Sequence, residues 1–420
     1  MDKVKSVKIV TILVLVGIAS VLLFVNVGKK DVAEFKSAQE SNVDETENKV
    51  EVKETIKITS LGNILFHEKQ LLGAKTRDGY DFNPSFDYIK DTISGSDITI
   101  GTLETTLGGD DFSGYPTFNS PDEVLSSLKN VGVNVINYAD NHILDDGANG
   151  FLRTLSVTKN NNIDMIGVRS NTNEKGYLVK EVSGQKFGVI AYTYETEKEN
   201  GQRTINSITI PKQIYGLINT FNYDELDAFY SSIASNIEEM KKDGVSFIIV
   251  DLHWGDEYSI RENTTQESMA KKLSELGVDI ILGSHPHVIE PYSIITNSKG
   301  KKTFVVYSQG NFISNQCADE RVTQDENVNS DMEDGTIIKF TLCVSDGDVR
   351  LKEYNVIPTW VYREPKSDGL LIHRVIPVSE ALNDRGKFNI PDSDYNRIQH
   401  ALNNTEKILA PNGIGPHEFA

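Results

Sequence analysis

Apolar runs rich in β-branched residues recur along this chain, and helical patterns separate them. Val245–Val250 and Val278–Leu282 are two such runs, with a helical pattern over residues 265–276 between them. Continuous apolar runs of this length are typical of parallel strands that are buried on both faces. Their alternation with helices predicts an α/β sheet with parallel crossovers. At 420 residues and 38% hydrophobic content, the chain can bury a large core.

Histidines follow two of these predicted strands. His253 comes shortly after the first run, while His285 and His287 flank Pro286 after the second. Ligands of α/β proteins gather beyond the carboxyl ends of parallel strands, and only eight histidines are present in the whole chain. Pro286 is expected to keep its segment extended and to send both rings to one side. This pattern predicts a metal or phosphate-type site at that edge of the sheet.

Other polar residues follow further predicted strands, and together they offer ligands for a divalent metal. Imidazole nitrogens with carboxylate or amide oxygens suit Zn, Mn and Fe ions, and two metals about 4 Å apart need six or more such groups. The chain offers His67, Glu104, Asn141, His142, His253, His285 and His287, with Asp140, Asp145, Asp251 and Glu257 nearby. Ordinary explanations stay open: a surface histidine, a loop-capping carboxylate, turn chemistry at the asparagine, or a buried core histidine.

The N-terminus has the pattern of a membrane segment. Lys3, Lys5 and Lys8 flank an apolar stretch over residues 9–27, which is close to the roughly 20 residues needed to span a bilayer. We expect an uncleaved signal anchor over residues 1–30, with the basic flank in the cytoplasm and the bulk of the chain outside the cell. A cleaved signal peptide is the alternative. Residues 31–54 are polar and predict a disordered extracellular tether.

Charge and cysteine content narrow the possible partners. The formal net charge is −19, which argues against nucleic acid and against an anionic lipid surface as partners of the main domain. An anionic substrate is still compatible, because a bound metal ion can dominate its local field. Cys317 and Cys343 could pair outside the cell or remain two separate small apolar residues.

Six segments stand out along the chain: Ser60-Leu-Gly-Asn-Ile-Leu-Phe-His67, Thr102-Leu-Glu104, Ala139-Asp-Asn-His142, His253-Trp-Gly-Asp-Glu257, Gly283-Ser-His-Pro-His-Val288 and Tyr307-Ser-Gln-Gly-Asn-Phe312. In order and spacing they resemble the CapA-like family of poly-γ-glutamate capsule-synthesis proteins. The resemblance covers a domain of residues 55–315, and residues 316–420 are expected to complete it or pack on it. The family is itself similar to calcineurin-like metallophosphoesterases. This similarity implies a four-layer α/β/β/α sandwich with a two-metal centre.

The resemblance also implies roles for individual residues. The implied metal ligands are Asn63, Glu104, Asn141, His253, His285 and His287. The implied catalytic residues are His142 and Asn141, and the implied substrate-binding residues are His67, Glu257 and Asn311. One departure concerns Asn63, because the family's first motif usually reads Gly-Asp and this chain reads Gly62-Asn63. A neutral amide replaces a charged ligand there, so the predicted occupancy by two Mn, Zn or Fe type ions should fall.

Three functions are compatible with these features. The first is a membrane-anchored extracellular protein that hydrolyses or transfers an anionic envelope polymer, poly-γ-glutamate or a similar one, with metal assistance. The second is a non-catalytic assembly or export subunit with a degraded site, working with other capsule-synthesis membrane subunits, which Asn63 favours. The third is a metallophosphodiesterase or phosphatase, which rests on fold analogy alone.

Overall fold

A computed structural model describes residues 54–320 and 331–419, and the structural statements below concern these residues. The predicted signal anchor and the predicted tether up to residue 53 lie outside them. Within this part of the chain, no helix is both long enough and apolar enough to cross a membrane. Two large β-sheets organise the described residues.

The first sheet has β1 at its centre. Its strands in the described residues are β1 (Glu54–Ile64), β2 (Ile98–Leu103), β3 (Val135–Asn137), β4 (Asp164–Ile166), β15 (Asn311–Ile313), β16 (Asp334–Ser345), β17 (Asp348–Pro365), β18 (Leu371–Pro377) and β19 (Gly415–Glu418). Their order is β18-β17-β16-β1-β2-β3-β4, with β15 beside β1 and β19 beside β17. Strands β1 to β4 are parallel to one another, whereas β16 pairs with β1 in the antiparallel direction.

The second sheet carries the two apolar runs from which the α/β prediction started. Its strands in the described residues are β5 (Leu178–Val182), β6 (Gln185–Tyr194), β10 (Thr220–Phe221), β11 (Phe247–His253), β12 (Ile280–Ser284), β13 (Tyr292–Thr296) and β14 (Lys302–Val306). Their order is β10-β6-β11-β12-β14-β13, with β5 beside β6. Strand β11 is parallel to both of its neighbours and all seven of its residues are buried. This is the environment that its apolar sequence predicts.

Helices cover the outer faces of both sheets. The helices of the described residues are α1 (Glu68–Ala74), α2 (Lys90–Ile93), α3 (Glu123–Val131), α4 (Gly147–Asn160), α5 (Leu226–Lys242), α6 (Thr264–Leu276), α7 (Val378–Asn383) and α8 (Tyr395–Leu409). Helix α6 begins at a capping box, because Asn263 accepts from the backbone N–H groups of Thr265 and Gln266. It ends at Gly277, whose φ of +92° suits a glycine.

Three apolar cores hold the layers together. The central core lies between the sheets and joins Ile58 and Ile100 of the first to Val189 and Ile249 of the second. A second core joins the outer face of the first sheet to α3 and α4, and a third joins the outer face of the second sheet to α5 and α6. The layers therefore run helix, sheet, sheet, helix. The predicted α/β class is confirmed, with the four-layer order that the family resemblance implied.

The C-terminal region both completes the first sheet and packs on it. Strand β16 lies directly against β1, with Ile58 opposite Phe340 and Leu61 opposite Ile337. Helices α7 and α8 pack on β17 and β18 through a fourth apolar cluster that contains Trp360. Cys343 lies on β16, and no disulfide joins it to Cys317.

Some predicted elements differ from the structure. The sequence predicts a helix over residues 85–94, but the structure reduces it to α2, preceded by a short 3-10 turn at Asn83–Ser85. Residues 195–222 are polar and lack clear periodicity, so the sequence predicts a loop or lid there. The structure instead forms a small sheet of β7 (Thr196–Glu199), β8 (Gln202–Ile205) and β9 (Ile208–Thr209) within this segment. This small sheet is anchored because Ile205 and Ile210 are buried in the helix-side core of the first sheet. The sequence predicts weak helical segments over about residues 372–420; α7 and α8 lie there, together with strand β18, which is not predicted.

Candidate functional site

Strand ends from both sheets meet at one cleft. The first sheet contributes Asn63 near the end of β1, Glu104 directly after β2 and Asn141 after β3. The second sheet contributes His253 at the end of β11 and His285 directly after β12. Parallel strands of one sheet end at the same edge, and packing two sheets face to face brings the two edges together. The structure thus places the residues predicted from the strand ends side by side.

Glu104 and His253 form the most buried part of the cleft. Both side chains are fully buried, and His253 Nε2 lies 3.2 Å from Glu104 Oε1. The same nitrogen lies 2.8 Å from Asn141 Oδ1, whereas His253 Nδ1 lies 3.0 Å from Ser284 Oγ. Neither carboxylate oxygen of Glu104 has a hydrogen-bond partner among the described residues. An uncompensated buried carboxylate is costly, so this one calls for a partner that the protein itself does not supply.

The His-Pro-His segment is a turn and not the extended segment that Pro286 predicted. His285 has φ +103° and His287 has φ +61°, values that are uncommon for residues with a Cβ and that cluster at functional sites. The turn brings the His285 ring to 4.8 Å from that of His253 and 6.2 Å from that of His287, between centroids. The two rings share one side of the cleft as expected, but a left-handed backbone places them there.

Asn63 and Asn311 flank His287 with neutral amides. His287 Nδ1 lies 3.2 Å from Asn63 Nδ2 and 3.1 Å from Asn311 Oδ1. The amide of Asn311 donates to Gln316 Oε1 and to the Met332 carbonyl, both at 3.0 Å. Asn311 is fully buried, so the structure places this predicted substrate-binding residue beneath His287 and not on the cleft surface.

The side chains of the cleft form two groups. The Glu104 corner consists of Glu104, Asn141, His253 and His285. The amide corner consists of Asn63, His287 and Asn311. The two corners adjoin, because His287 Nδ1 lies 3.9 Å from Glu104 Oε2.

His142 is paired with a buried carboxylate. Its Nδ1 lies 2.7 Å from Asp145 Oδ2, and both side chains are largely buried. The same Asp145 oxygen accepts from the Phe118 backbone N–H at 2.6 Å. A carboxylate at Nδ1 fixes the ring orientation and leaves Nε2 as the nitrogen that can exchange a proton. Asp145, noted in the sequence only as a nearby acid, thus becomes the partner of the predicted catalytic histidine.

A rim of aromatic and polar residues surrounds the cleft. His67, at the start of α1, is half-buried, with its ring centroid 5.0 Å from that of Phe118, which in turn packs at 4.6 Å against His142. On the other side Tyr258 stacks on His287 at 5.9 Å, and neighbouring Glu257 is exposed. The predicted substrate-binding residues His67 and Glu257 are therefore accessible from solvent. Tyr258 was not predicted, although it directly follows the His-Trp-Gly-Asp-Glu segment.

Burial dominates the electrostatics of the cleft. It raises the pKa of Glu104 well above its usual range, and repulsion from Asp140, Glu257 and Asp145 adds to the effect. Burial lowers the pKa of His253 and His285 well below theirs, with the neighbouring histidines adding to it, and lowers that of His287 to about 3. The protein alone therefore favours neutral side chains at these positions.

The donor set of the Glu104 corner is chemically suited to a divalent cation. A carboxylate, an amide oxygen and imidazole nitrogens are the ligands that Mn, Zn and Fe ions accept in proteins. The two unpartnered oxygens of Glu104 and the unpartnered Nδ1 of His285 are buried acceptor positions that a cation would satisfy. Within residues 54–320 and 331–419, no group of three or more His, Cys, Asp or Glu side chains is arranged to hold a metal ion. A ligand set at the Glu104 corner would therefore include an amide, that of Asn141.

Comparison with known proteins identifies the family. The family model "Bacterial capsule synthesis protein PGA_cap" matches residues 57–316, more than half of the chain. The chain belongs to this family. The CapA-like resemblance drawn from six motifs is thereby confirmed.

Two curated relatives of the PGA_cap protein are similar over part of their length. The "Capsule biosynthesis protein CapA" of Bacillus anthracis is 26% identical over 279 residues, covering 63% of this chain and 61% of the relative. The "PGA biosynthesis protein CapA" of Bacillus subtilis (strain 168) is 29% identical over 196 residues, covering 46% of each. The chain thus spans less than two thirds of either relative.

A solved structure is also similar to this PGA_cap family member. The calcineurin-like phosphoesterase YfkN from Bacillus subtilis aligns with 84% of this chain and 97% of its own, at 16% sequence identity and a TM-score of 0.39. A TM-score this low does not inform the chemistry of the cleft.

Proposed function

We propose that this protein acts in the synthesis or export of an anionic capsule polymer of the poly-γ-glutamate type, and that its cleft hydrolyses or transfers that polymer. Family membership and the names of the two relatives support the polymer class. The observation that carries a chemical role is Glu104, a fully buried carboxylate without a hydrogen bond that lies among histidines at the strand ends. Perturbed buried groups of this kind concentrate at functional sites.

In this proposal, different residues of the cleft have different chemical roles. A divalent cation held by the Glu104 corner supplies, when bound, a Lewis acid and a water of lowered pKa. His142, oriented by Asp145, is placed to give a proton to the leaving group of the polymer. His67 and Glu257, accessible at the rim, contact the polymer chain on either side.

Membrane attachment is part of the proposal. The basic residues Lys3, Lys5 and Lys8 and the apolar stretch over 9–27 favour a single-pass anchor, with the PGA_cap domain on the extracellular side. In this arrangement the domain meets the polymer outside the cell, beside the other membrane subunits of capsule synthesis.

A second candidate function is a non-catalytic assembly or export subunit. The neutral amide corner favours it, because Asn63 stands where the family usually has a charged ligand. In this alternative the cleft is a binding surface, and loss of His142 or of a single cation ligand leaves polymer production intact.

Complementation separates the two candidates. A Bacillus subtilis strain without its own PGA biosynthesis protein CapA would receive the wild-type chain, His253→Ala or His142→Ala, with Western blots to match expression. Restored polymer with the wild type and a loss of at least tenfold with both variants supports the catalytic proposal. Equal restoration by all three supports the assembly subunit. Cleavage of a generic phosphodiester by the purified wild type, with no effect on the polymer, would instead point to a phosphoesterase.

A further inference from the structure

The two corners of the cleft differ in how their polar atoms are satisfied. In the Glu104 corner, Glu104 Oε1, Glu104 Oε2 and His285 Nδ1 are buried without a hydrogen-bond partner in the described residues. Among the described residues, none of the buried side-chain nitrogens and oxygens of the amide corner lacks a hydrogen-bond partner. Buried polar groups without partners are rare in folded proteins and mark positions where a ligand or ion is missing.

In the Glu104 corner, three atoms that could ligate a cation lie close together. His253 Nε2 lies 2.8 Å from Asn141 Oδ1 and 3.2 Å from Glu104 Oε1. The corner also contains a carboxylate, the one group there that can offset a cation's charge. His285, whose ring centroid lies 4.8 Å from that of His253, adds an imidazole nitrogen. This corner has the chemistry, the charge and the unpartnered atoms of a cation site.

In the amide corner the side chains are bonded to one another. His287 Nδ1 accepts from Asn63 Nδ2 in one ring tautomer and donates to Asn311 Oδ1 in the other, while the Asn311 amide donates to Gln316 Oε1 and to the Met332 carbonyl. Asn63 Oδ1 lies 3.4 Å from the His285 backbone N–H, which donates to it. Two amides and an imidazole provide no negative charge. A second cation would have to break this network and would find no carboxylate beyond the shared Glu104.

We infer that the cleft holds one divalent cation and not two, at the Glu104 corner, because Asn63 makes the amide corner neutral and self-bonded. This inference concerns the same cleft as the proposed function and revises the two-ion centre that the family resemblance implies. The number of bound ions does not depend on which polymer is processed.

Counting bound ions tests the inference. The full-length protein, stripped with a chelator and equilibrated with Mn(II) alone, would be measured by inductively coupled plasma mass spectrometry, titration calorimetry and electron paramagnetic resonance. We expect one Mn(II) per chain and the spectrum of an isolated ion. His253→Ala should bind at least tenfold more weakly, whereas His287→Ala, the matched loss of a buried histidine in the same cleft, should still bind one ion.

The Asn63→Asp variant tests the cause. It should bind a second Mn(II) and give the spectrum of a spin-coupled pair. Two ions or none in the wild type, or equal losses in His253→Ala and His287→Ala with both variants folded by circular dichroism, would overturn the inference. One ion in Asn63→Asp would refute Asn63 as the cause. A failed complementation alongside a count of one ion would refute only the proposed function, so the two failures are distinguishable.

Discussion

Ser284 decides which nitrogen of His253 faces the Glu104 corner. Its hydroxyl lies 3.0 Å from His253 Nδ1, while Nε2 contacts Asn141 and Glu104. When Nδ1 donates its proton to Ser284 Oγ, Nε2 keeps its lone pair for a cation. Ser284 was not singled out in the sequence, although it lies within the Gly-Ser-His-Pro-His segment. Its position at the end of β12, the strand beside β11, could have indicated this role.

Replacing Ser284 should therefore weaken cation binding without removing a ligand. We expect Ser284→Ala to lower Mn(II) affinity roughly 10- to 100-fold, the usual range for a residue that orients a metal-binding histidine. Titration calorimetry measures the affinity directly. Ser246→Ala, at the exposed opposite end of β11, is the matched control and should bind like the wild type. Unchanged affinity in Ser284→Ala would contradict this orienting role.

Glu290 is a buried acid outside the cleft that should make stability depend on pH. One of its oxygens accepts from Gln266 Nε2 at 2.9 Å, and the other has no hydrogen-bond partner in the described residues. Burial raises the pKa of Glu290 from 4.5 to about 8, and the charges of Glu262 and Asp256 add to this. The folded state therefore holds a proton that the unfolded state loses above pH 4.5. The resulting stabilisation is complete below that pH and is lost as the pH rises through about 8.

Melting curves of Glu290→Gln and the wild type at pH 5, 7 and 9 test this dependence. The glutamine remains neutral at every pH, so the variant should gain stability relative to the wild type as the pH rises. The gain should be on the order of a few kcal/mol, at about 1.4 kcal/mol per pKa unit. Glu238→Gln, on the exposed face of α5, is the control. Its stability should change with pH in the same way as that of the wild type. A constant difference between Glu290→Gln and the wild type across this range would refute the assignment.

At the scale of the elements, the approach of β12 to the chain after β14 depends on Gly283. A Cβ at this position would lie 1.9 Å from the Tyr307 carbonyl oxygen and 2.6 Å from Trp254 Nε1. Neither backbone nor a fully buried indole can move aside cheaply. We expect Gly283→Ala to destabilise the fold by roughly 1–3 kcal/mol or more, visible as a lower melting temperature. Gly386→Ala, at an exposed turn with its nearest neighbour at 3.5 Å, should melt like the wild type.

The sequence predicts the strand ends well, because buried parallel strands need apolar runs and the site residues directly follow those runs. It does not predict the left-handed turn at His285 and His287, since proline favours extended neighbours and only tertiary contacts impose the turn. It also fails to predict the small sheet at 196–209. The reason is that Ile205 and Ile210 are isolated apolar residues whose burial depends on a distant core.

At the scale of the whole molecule, the region that matches the family model is not a complete folding unit. The match ends at residue 316, yet β16 borders β1 along eight paired positions. A chain that ends after residue 316 leaves the edge of β1 unpaired and Phe340 missing from the central core. We expect such a chain to be insoluble or to lack a cooperative melting transition. A chain that ends after residue 410 loses the edge strand β19 and a few peripheral contacts of residues 412–419 with Tyr292 and the central core. It should still fold, as circular dichroism would show.

The orientation of the chain in the membrane is a further prediction at this scale. A reporter enzyme fused after residue 40 should be active outside the cell and should stay in the membrane fraction, because the lysines before the apolar stretch favour a cytoplasmic N-terminus. Moving these lysines to the other side of the stretch should reverse the reporter's location. Recovery of most of the protein from the culture medium, trimmed near residue 28, would indicate a cleaved signal peptide instead.

Because β16 lies beside β1, the sheet that carries one side of the cleft is complete only after β16 has been synthesised. The strand of Ile58 is enclosed on both sides only after Phe340, which lies in the last fifth of the chain, has been synthesised. Contacts between such distant positions form late, after the long loop between them has closed. Asn63 and Glu104 are synthesised early, but the sheet that carries them is completed only after β16 has been synthesised. Under the proposal that the cleft binds one cation, we expect this cation to be taken up in the compartment where folding finishes, and not in the one where synthesis begins.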